Sequence, residues 1–475
     1  MQGISILMKT PIQKRKKPSV VTRFFIPLVL AAGLLGAATG QAQGVLEIPL
    51  YSFLASPDGY VGVGTLILGA DNFLYGTTYG GGTNSASPGG TIFKIGRDGS
   101  GYKVLRSFSQ GDTGDNGTAF YSIGLSVARG SDGALYGTTR YGGTNGAGSV
   151  FKMNSDGFDF TILHSFTGND GYPFNLMQGS DGVLYGAGAT AIFKLNPDGG
   201  GYEVLHTFTN AIDGSVSLGK LVQGYDGALY GVTTFGGANN GGTVFKLNTD
   251  GSGFMVLHSF PDGTGDGYNS HAGLIQGSDG ALYGTTESGG TNSDGTVFKL
   301  QMDGSGYTVL HNFAPVPDGG SPEGSLVQGL GNVLYGTTQS GGAANLGTVF
   351  KLGLDGNGYN ILYNFTDPHN WRPFGGLVQG PASGGAGVLY GITSYNFGGV
   401  FGLVVNPPLS ITPVTSQTAS NQTAVFWPAW ALGAVLQTTT NLASGTWVTV
   451  SNAVPMAGVQ LTNSLPAAYY RLIWQ

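Results

Sequence analysis

LIQGSDGALYGTTESGGTNSDGTVFKLQMDGSGYTVLHNF, residues 274–313, is one of seven related copies in a chain of 475 residues. Its Leu-Tyr-Gly core recurs at Tyr75, Tyr136, Tyr185, Tyr230, Tyr283, Tyr335 and Tyr390, at spacings of 61, 49, 45, 53, 52 and 55 residues. A period near 50 signals a repeat architecture before any local motif carries meaning. Within the copy, residues 274–276, 281–286, 296–300 and 307–313 are short runs rich in Val, Ile, Thr, Tyr, Phe and Leu. Gly, Asp, Asn and Ser bound them, so each reads as a strand. Asp279-Gly280 and Asp303-Gly304 supply the positive φ that tight hairpin turns need. Each copy is therefore a four-stranded antiparallel sheet.

Four-stranded sheets repeated radially make a β-propeller, and the chain ends favour this over a linear solenoid. The last copy stops after its third strand, Gly399–Val405, and a matching fourth strand, Leu46–Phe53, precedes the first copy. An N-terminal strand that completes the last sheet closes a ring and removes the exposed edges of an open array. The expected fold is all-β: a seven-bladed β-propeller over residues 43–405, with Leu-Val-Gln-Gly innermost and the fourth strand outermost.

Glycine (87 residues) is periodic and marks turns, while 40% hydrophobic content supports packed cores. No cysteine is present, which excludes disulfides and thiolate chemistry. Residues 1–42 read as a signal peptide for export to the cell surface, the medium or the periplasm: a basic leader (Lys14–Lys17, Arg23), the apolar run Phe24–Ala38, and small residues before a cut after Ala42. Met8 is a second candidate start. Without this leader, 14 basic and 26 acidic residues remain, a net charge of −12 that argues against nucleic acid or an anionic membrane as partner. Membrane contact is expected only through the signal peptide, and the chain reads as a monomer. Asn406-Pro407-Pro408 reads as a linker. Residues 409–475, with four of the five tryptophans and one formal charge (Arg471), read as a small fibronectin type III-like β-sandwich.

The repeated motifs Leu-Tyr-Gly-Thr-Thr, Gly-Gly-Thr-Asn, Gly-Thr-Val-Phe-Lys-Leu, Asp-Gly-Ser-Gly-Tyr and Val-Leu-His-Ser-Phe resemble the Gloeo/Verruco ("GloVer") tandem repeat across residues 46–405. The resemblance implies an exported bacterial protein of the "choice-of-anchor" type. It brings no activity and no catalytic residues.

Alternating strand direction sorts the connections onto two faces, one of short uniform turns and one of long variable loops, where binding residues usually sit. Blade three almost lacks the loop between its second and third strands (Gly188–Ala191), which would leave a notch in this face. Acidic residues recur there at Asp58, Asp115, Asp170, Asp213, Asp266, Asp318 and Asp367. They suit a cation or sugar hydroxyls, but recurrence in every blade favours a structural, turn-capping role. His164, His206, His258 and His311 recur in the outermost strand, too far apart to share a metal. Gln178, Gln223, Gln276, Gln328 and Gln379 recur in the innermost strand, where they line a channel or satisfy neighbouring backbone. Arg129 replaces glutamine in one copy and offers an anion contact. Ligand-binding candidates on the rim are Tyr79, Tyr141, Phe235, Glu287, Gln339 and Tyr395, with Trp371 and Arg372 beside them.

Asn248–Gly253 resembles the start of a calcium loop, but Ser259 stands where its closing acid belongs. No nucleophile, zinc or phosphate-loop motif occurs, and no cofactor or metal is expected. The sequence therefore reads as a non-enzymatic binding or display module for carbohydrate or protein. One alternative is a polysaccharide hydrolase or lyase using acids such as Asp170, Asp266 and Glu323; the other is a structural surface protein.

Overall fold

The computed structural model describes residues 45–54, 57–83, 88–109, 127–261, 265–314, 316–329, 331–367, 372–380, 387–395 and 397–405, and short strands between 412 and 474. Residues 45–405 form a seven-bladed β-propeller of four-stranded antiparallel sheets. Blade five shows the pattern: Ile275–Gln276, Leu282–Thr286, Thr296–Leu300 and Thr308–Asn312, from the axis outward. Blade seven joins both ends of the array. Val378–Gln379, Gly387–Thr393 and Gly399–Val405 are completed by Val45–Ser52, which runs antiparallel to Gly399–Val405. The closure expected from the count of strands is the one observed.

Why these residues make blades follows from the two-residue period of a strand. In Leu282-Tyr283-Gly284, leucine faces one neighbouring blade and tyrosine the other, and each is buried in a different apolar cluster. The core is accordingly split into seven, one cluster in each gap between blades. The gap between blades seven and one holds Phe53, Tyr390 and Ile392 against Leu66, Leu74 and Phe93. The glycine of the motif is required because the third-strand phenylalanine covers it. A Cβ on Gly284 would meet Phe298 Cζ at 2.5 Å.

Three polar devices repeat alongside the apolar ones. Asp279 caps the backbone N–H of Ala281, accepts the Tyr283 hydroxyl at 2.8 Å and pairs with Lys299 at 2.7 Å. Asp132 and Asp226 do the same with Tyr136, Lys152, Tyr230 and Lys246. The glutamine series clips blades together: the Gln276 side chain accepts from Tyr225 N–H of blade four and donates to Gly280 O of its own blade. Gln178 and Gln223 repeat the clip. This settles the open choice for those three in favour of backbone satisfaction, although Gln178 and Gln223 also border the axis.

The outer histidines form a girdle. His164, His206, His258 and His311 each stack on an aromatic ring of the next blade (Tyr202, Phe254, Tyr307 and Tyr359) at centroid distances of 3.6, 3.6, 3.7 and 3.7 Å. Tyr51 on Tyr102 and Arg106 over Phe160 fill the same place in blades seven and one.

Burial opposes ionisation of Asp132, Asp170, Asp213, Asp226, Asp279 and Asp318, but hydrogen bonds and cation or histidine partners outweigh it and hold these carboxyls below the usual range. A depressed folded pKa stabilises the fold above the unfolded value, near 4, and that stability is lost as pH falls through the folded values. The midpoint of urea unfolding should therefore drop progressively below about pH 4. A midpoint unchanged between about pH 5 and about pH 3 would show that these bonds do not support the ring.

Past residue 405, six short strands pair into two three-stranded sheets. One joins Thr412–Val414, Gln422–Val425 and Val459–Thr462; the other joins Val448–Thr449, Ala434–Thr439 and Tyr469–Trp474. The leader segment 1–42 lies outside the described residues.

Candidate functional site

The inner strands enclose an axial cavity of about 1130 Å³, lined by side chains from every blade. This is slightly above the usual range for a small-ligand pocket. Its walls exist because the inner strands begin with small residues. A Cβ on Gly219 would meet Ala272 O at 2.6 Å, and one on Gly324 would meet Gly375 O at 2.6 Å, so the chains approach backbone to backbone at these points.

At the long-loop end the cavity takes the residue directly after the five-residue Leu-Tyr-Gly core in four of the seven blades: Tyr79, Arg140, Gln339 and Ser394. Of the residues expected from the sequence, Tyr79, Arg129, Gln339, Arg372 and Tyr395 line it. The Arg372 guanidinium lies over the Tyr395 ring at 5.5 Å. Tyr141 and Phe235 come one residue later and stand apart, although Tyr395 at the same offset lines the cavity. Tyr141 meets Tyr172 edge-on at 5.9 Å, and the Phe235 backbone pairs with Ser215 while its ring is exposed. Trp371 and Asp115 lie outside the described residues.

The recurrent acids do not form an open ring. Asp58 accepts from Tyr51 Oη at 2.6 Å, Asp170 from Tyr202 Oη at 2.7 Å, and Asp213 and Asp318 pair with His206 and His311 at 2.7 and 3.0 Å. Asp266 lies 3.6 Å from His258. Each of these five lies beside a residue in, or directly before, an outermost strand, and none lines the cavity. Asp367 is exposed and also lies off it. Asp170 and Asp266 therefore cannot work with Glu323, which does line the cavity.

Glu323 has other company. His271 Nε2 is 3.5 Å from Glu287 Oε2, and His271 Nδ1 is 3.8 Å from Glu323 Oε2. The side chains are 24%, 28% and 10% exposed, respectively, for His271, Glu287 and Glu323. One ligand atom from each lies within 4.8 Å of the others, so the trio holds the donors a divalent cation uses. As they stand, the two ring nitrogens face different carboxylates and the imidazole is clamped between them. Burial opposes charge on His271, but both carboxylates outweigh it and raise its pKa above the ordinary histidine value. Burial, opposed by His271 and reinforced by the Glu323 charge, raises Glu287.

The histidine sign is the reverse of the aspartate case. A raised folded pKa gives stability that is full below the unfolded value, about 6.5, and is lost as pH rises through the folded value. The His271 ring resonance should thus titrate above about pH 6.5 and move down in Glu323→Gln. An unchanged midpoint in that variant would dissolve the clamp. His271 was missed because it looks isolated in the sequence, and Glu323 stood out only as an acid, without its histidine partner. They fill the same repeat position in adjacent blades, three residues before Leu274 and Leu326.

The Gloeobacter/Verrucomicrobia repeat matches residues 39–191 and 186–405. The chain belongs to this family. No curated protein sequence matches this repeat protein. Among solved structures it is similar to virginiamycin B lyase from Staphylococcus aureus, with a TM-score of 0.52 and 14% identity over 76% of this chain and 99% of that one. A streptogramin B lyase structure gives a TM-score of 0.52 and 16% identity over 77% of this chain and 100% of that one. At such identities the likeness is one of fold.

Proposed function

We propose that this family member is an exported binding or display module that takes a carbohydrate ligand into the long-loop end of its axial cavity. The observation that carries this reading is the cavity itself. It gathers aromatic rings (Tyr79, Phe174, Tyr395) beside hydrogen-bonding groups (Asn175, Gln339, Ser394) from several blades. Rings flanked by polar groups suit the apolar faces and hydroxyl edges of sugars. Residues 1–42 would direct export, and the two sheets past residue 409 would face each other as a small sandwich, leaving the propeller to bind. The partner is a sugar rather than nucleic acid.

The test is retention of the purified chain on immobilised polysaccharides, with released sugar measured in parallel. Retention without release is expected, and Tyr79→Ala and Tyr395→Ala should each weaken it about three- to tenfold. Binding unchanged in both variants would remove the cavity from the reading.

One observation favours a second reading, an enzyme: the His271 clamp on the cavity wall. An imidazole held between carboxylates is equipped for general acid–base work. The fold likeness to two lyases agrees with it but adds no residue roles. Sugar release by the chain that His271→Ala abolishes would make this reading the correct one.

A further inference from the structure

Lys220 is the residue the binding reading leaves unused. It lies on the cavity wall. The equivalent positions in the other copies are Thr65, Ser126, Asn175, Gly273, Ser325 and Gly376, all small or neutral. Three of them hold their neighbours within the ring. Thr65 Oγ1 accepts from Gly376 N–H at 3.0 Å, Ser325 Oγ accepts from Gly273 N–H at 2.9 Å, and Asn175 donates to Leu218 O. Lys220 is different: it borders the cavity and has no hydrogen bond or ion pair with any described residue. Surrounding protein displaces its water and pushes its pKa down, and no carboxylate acts on it in return. Its backbone packs closely against Gly273, where a Cβ would strike Lys220 O at 2.5 Å.

The rest of the wall has the same sign. Arg129, Arg140 and Arg372 line the cavity with Lys220, while the acid Glu323 is engaged by His271. Yet the whole chain has 20 basic and 26 acidic residues. An acidic protein that gathers cations in one cavity, and leaves one of them unpaired at substantial desolvation cost, stores a preference for an anion.

Resting on the carbohydrate reading, we propose that the ligand is an anionic glycan whose carboxylate or sulfate ester is held by Lys220. Peptide is disfavoured by the frame. The inner strands of blades four to seven offer ladders of two residues each, too short to template an added strand.

The experiment is calorimetric titration of the full chain with four probes of similar length: oligogalacturonate, its methyl ester, a sulfated oligosaccharide and a neutral cello-oligosaccharide. The free acid or the sulfated sugar should bind about ten- to a hundredfold tighter than the ester and the neutral sugar, the range of a charge-assisted hydrogen bond. Which of the two binds tighter identifies the anionic group. Raising salt from about 50 to about 500 mM should erode that advantage. Lys220→Met should abolish it, and Lys220→Arg should retain most of it. The ester comparison uses the unaltered protein, so the test survives if Lys220→Met does not fold. Equal binding of ester, neutral sugar and free acid would overturn the anion inference and leave carbohydrate binding standing. Binding to none of the four would overturn both. Charge-selective binding that persists in a folded Lys220→Met would overturn the assignment to Lys220.

Discussion

Phe53→Ala should cost about 3–5 kcal/mol of unfolding free energy, the range for a buried phenylalanine emptied to a cavity. It should also do something its counterparts do not. Phe53 is 2% exposed, meets Phe93 of blade one at 5.3 Å, and its N–H bonds Gly398 O of blade seven at 3.0 Å. It thus lies on the one junction that joins the two ends of the array. Phe260 is the equivalent residue between blades four and five, buried and 5.3 Å from Phe298. Phe260→Ala opens a similar cavity but leaves the chain continuous across it. Hydrogen exchange should therefore quicken in Gly399–Val405 and Tyr60–Leu68 in Phe53→Ala, and only near blades four and five in Phe260→Ala. Removing residues 45–53 altogether bares the whole edge of Gly399–Val405 and should give self-association as well as a lower melting temperature. Equal costs and equally local exchange in the two alanine variants would show that ring closure carries no special stability.

The closure was legible because it is a counting argument: three strands at one end, one at the other. The two faces of each blade were legible because a strand alternates sides, so Leu282 and Tyr283 had to enter different clusters. The polar devices were harder to see. Asp279, Tyr283 and Lys299 are separated by 4 and 20 residues, and they meet only once a particular register pairs Tyr283 with Lys299. The Asp-Gly pair was read as a turn, which it is, while its second task stayed hidden. The girdle histidines were legible as outermost-strand residues too far apart to share a metal, but the stacking partner lies on the next blade and follows only from the blade arrangement. On the rim, one residue decided the outcome. Arg140 lines the cavity and Tyr141 does not, and no composition rule separates them. His271, Glu323 and Lys220 broke the repeat at neighbouring inner positions. Departures from the repeat were the available signal for His271 and Lys220, while Glu323 was legible as an acid but its partner His271 lies on the adjacent blade.

That same repeat makes the strongest packing claim about its most constant small residue. Gly284→Val should destabilise by about 3 kcal/mol, the upper end for overpacking a filled core. Two effects compete. Valine has better strand propensity than glycine, and glycine in a strand costs roughly 0.5–1 kcal/mol in backbone entropy. Against this, a Cβ alone would sit 2.5 and 2.9 Å from the Phe298 ring and 2.9 Å from Leu274 Cδ2. Phe298 and Leu274 are 0% and 4% exposed, and Gly284 pairs directly with Phe298 across the ladder, so neither side chain has free space to enter. Sterics therefore win. Gly168→Ala is the control: a Cβ there meets nothing within 4 Å, and the change should be near neutral. Phe298→Leu on the Gly284→Val background should recover part of the loss, because it removes the ring atoms the new methyl groups strike. The two changes should then couple by about 1 kcal/mol or more in a double-mutant cycle. Simple additivity in urea unfolding would mean that Gly284 is kept for its backbone rather than for the ring that covers it.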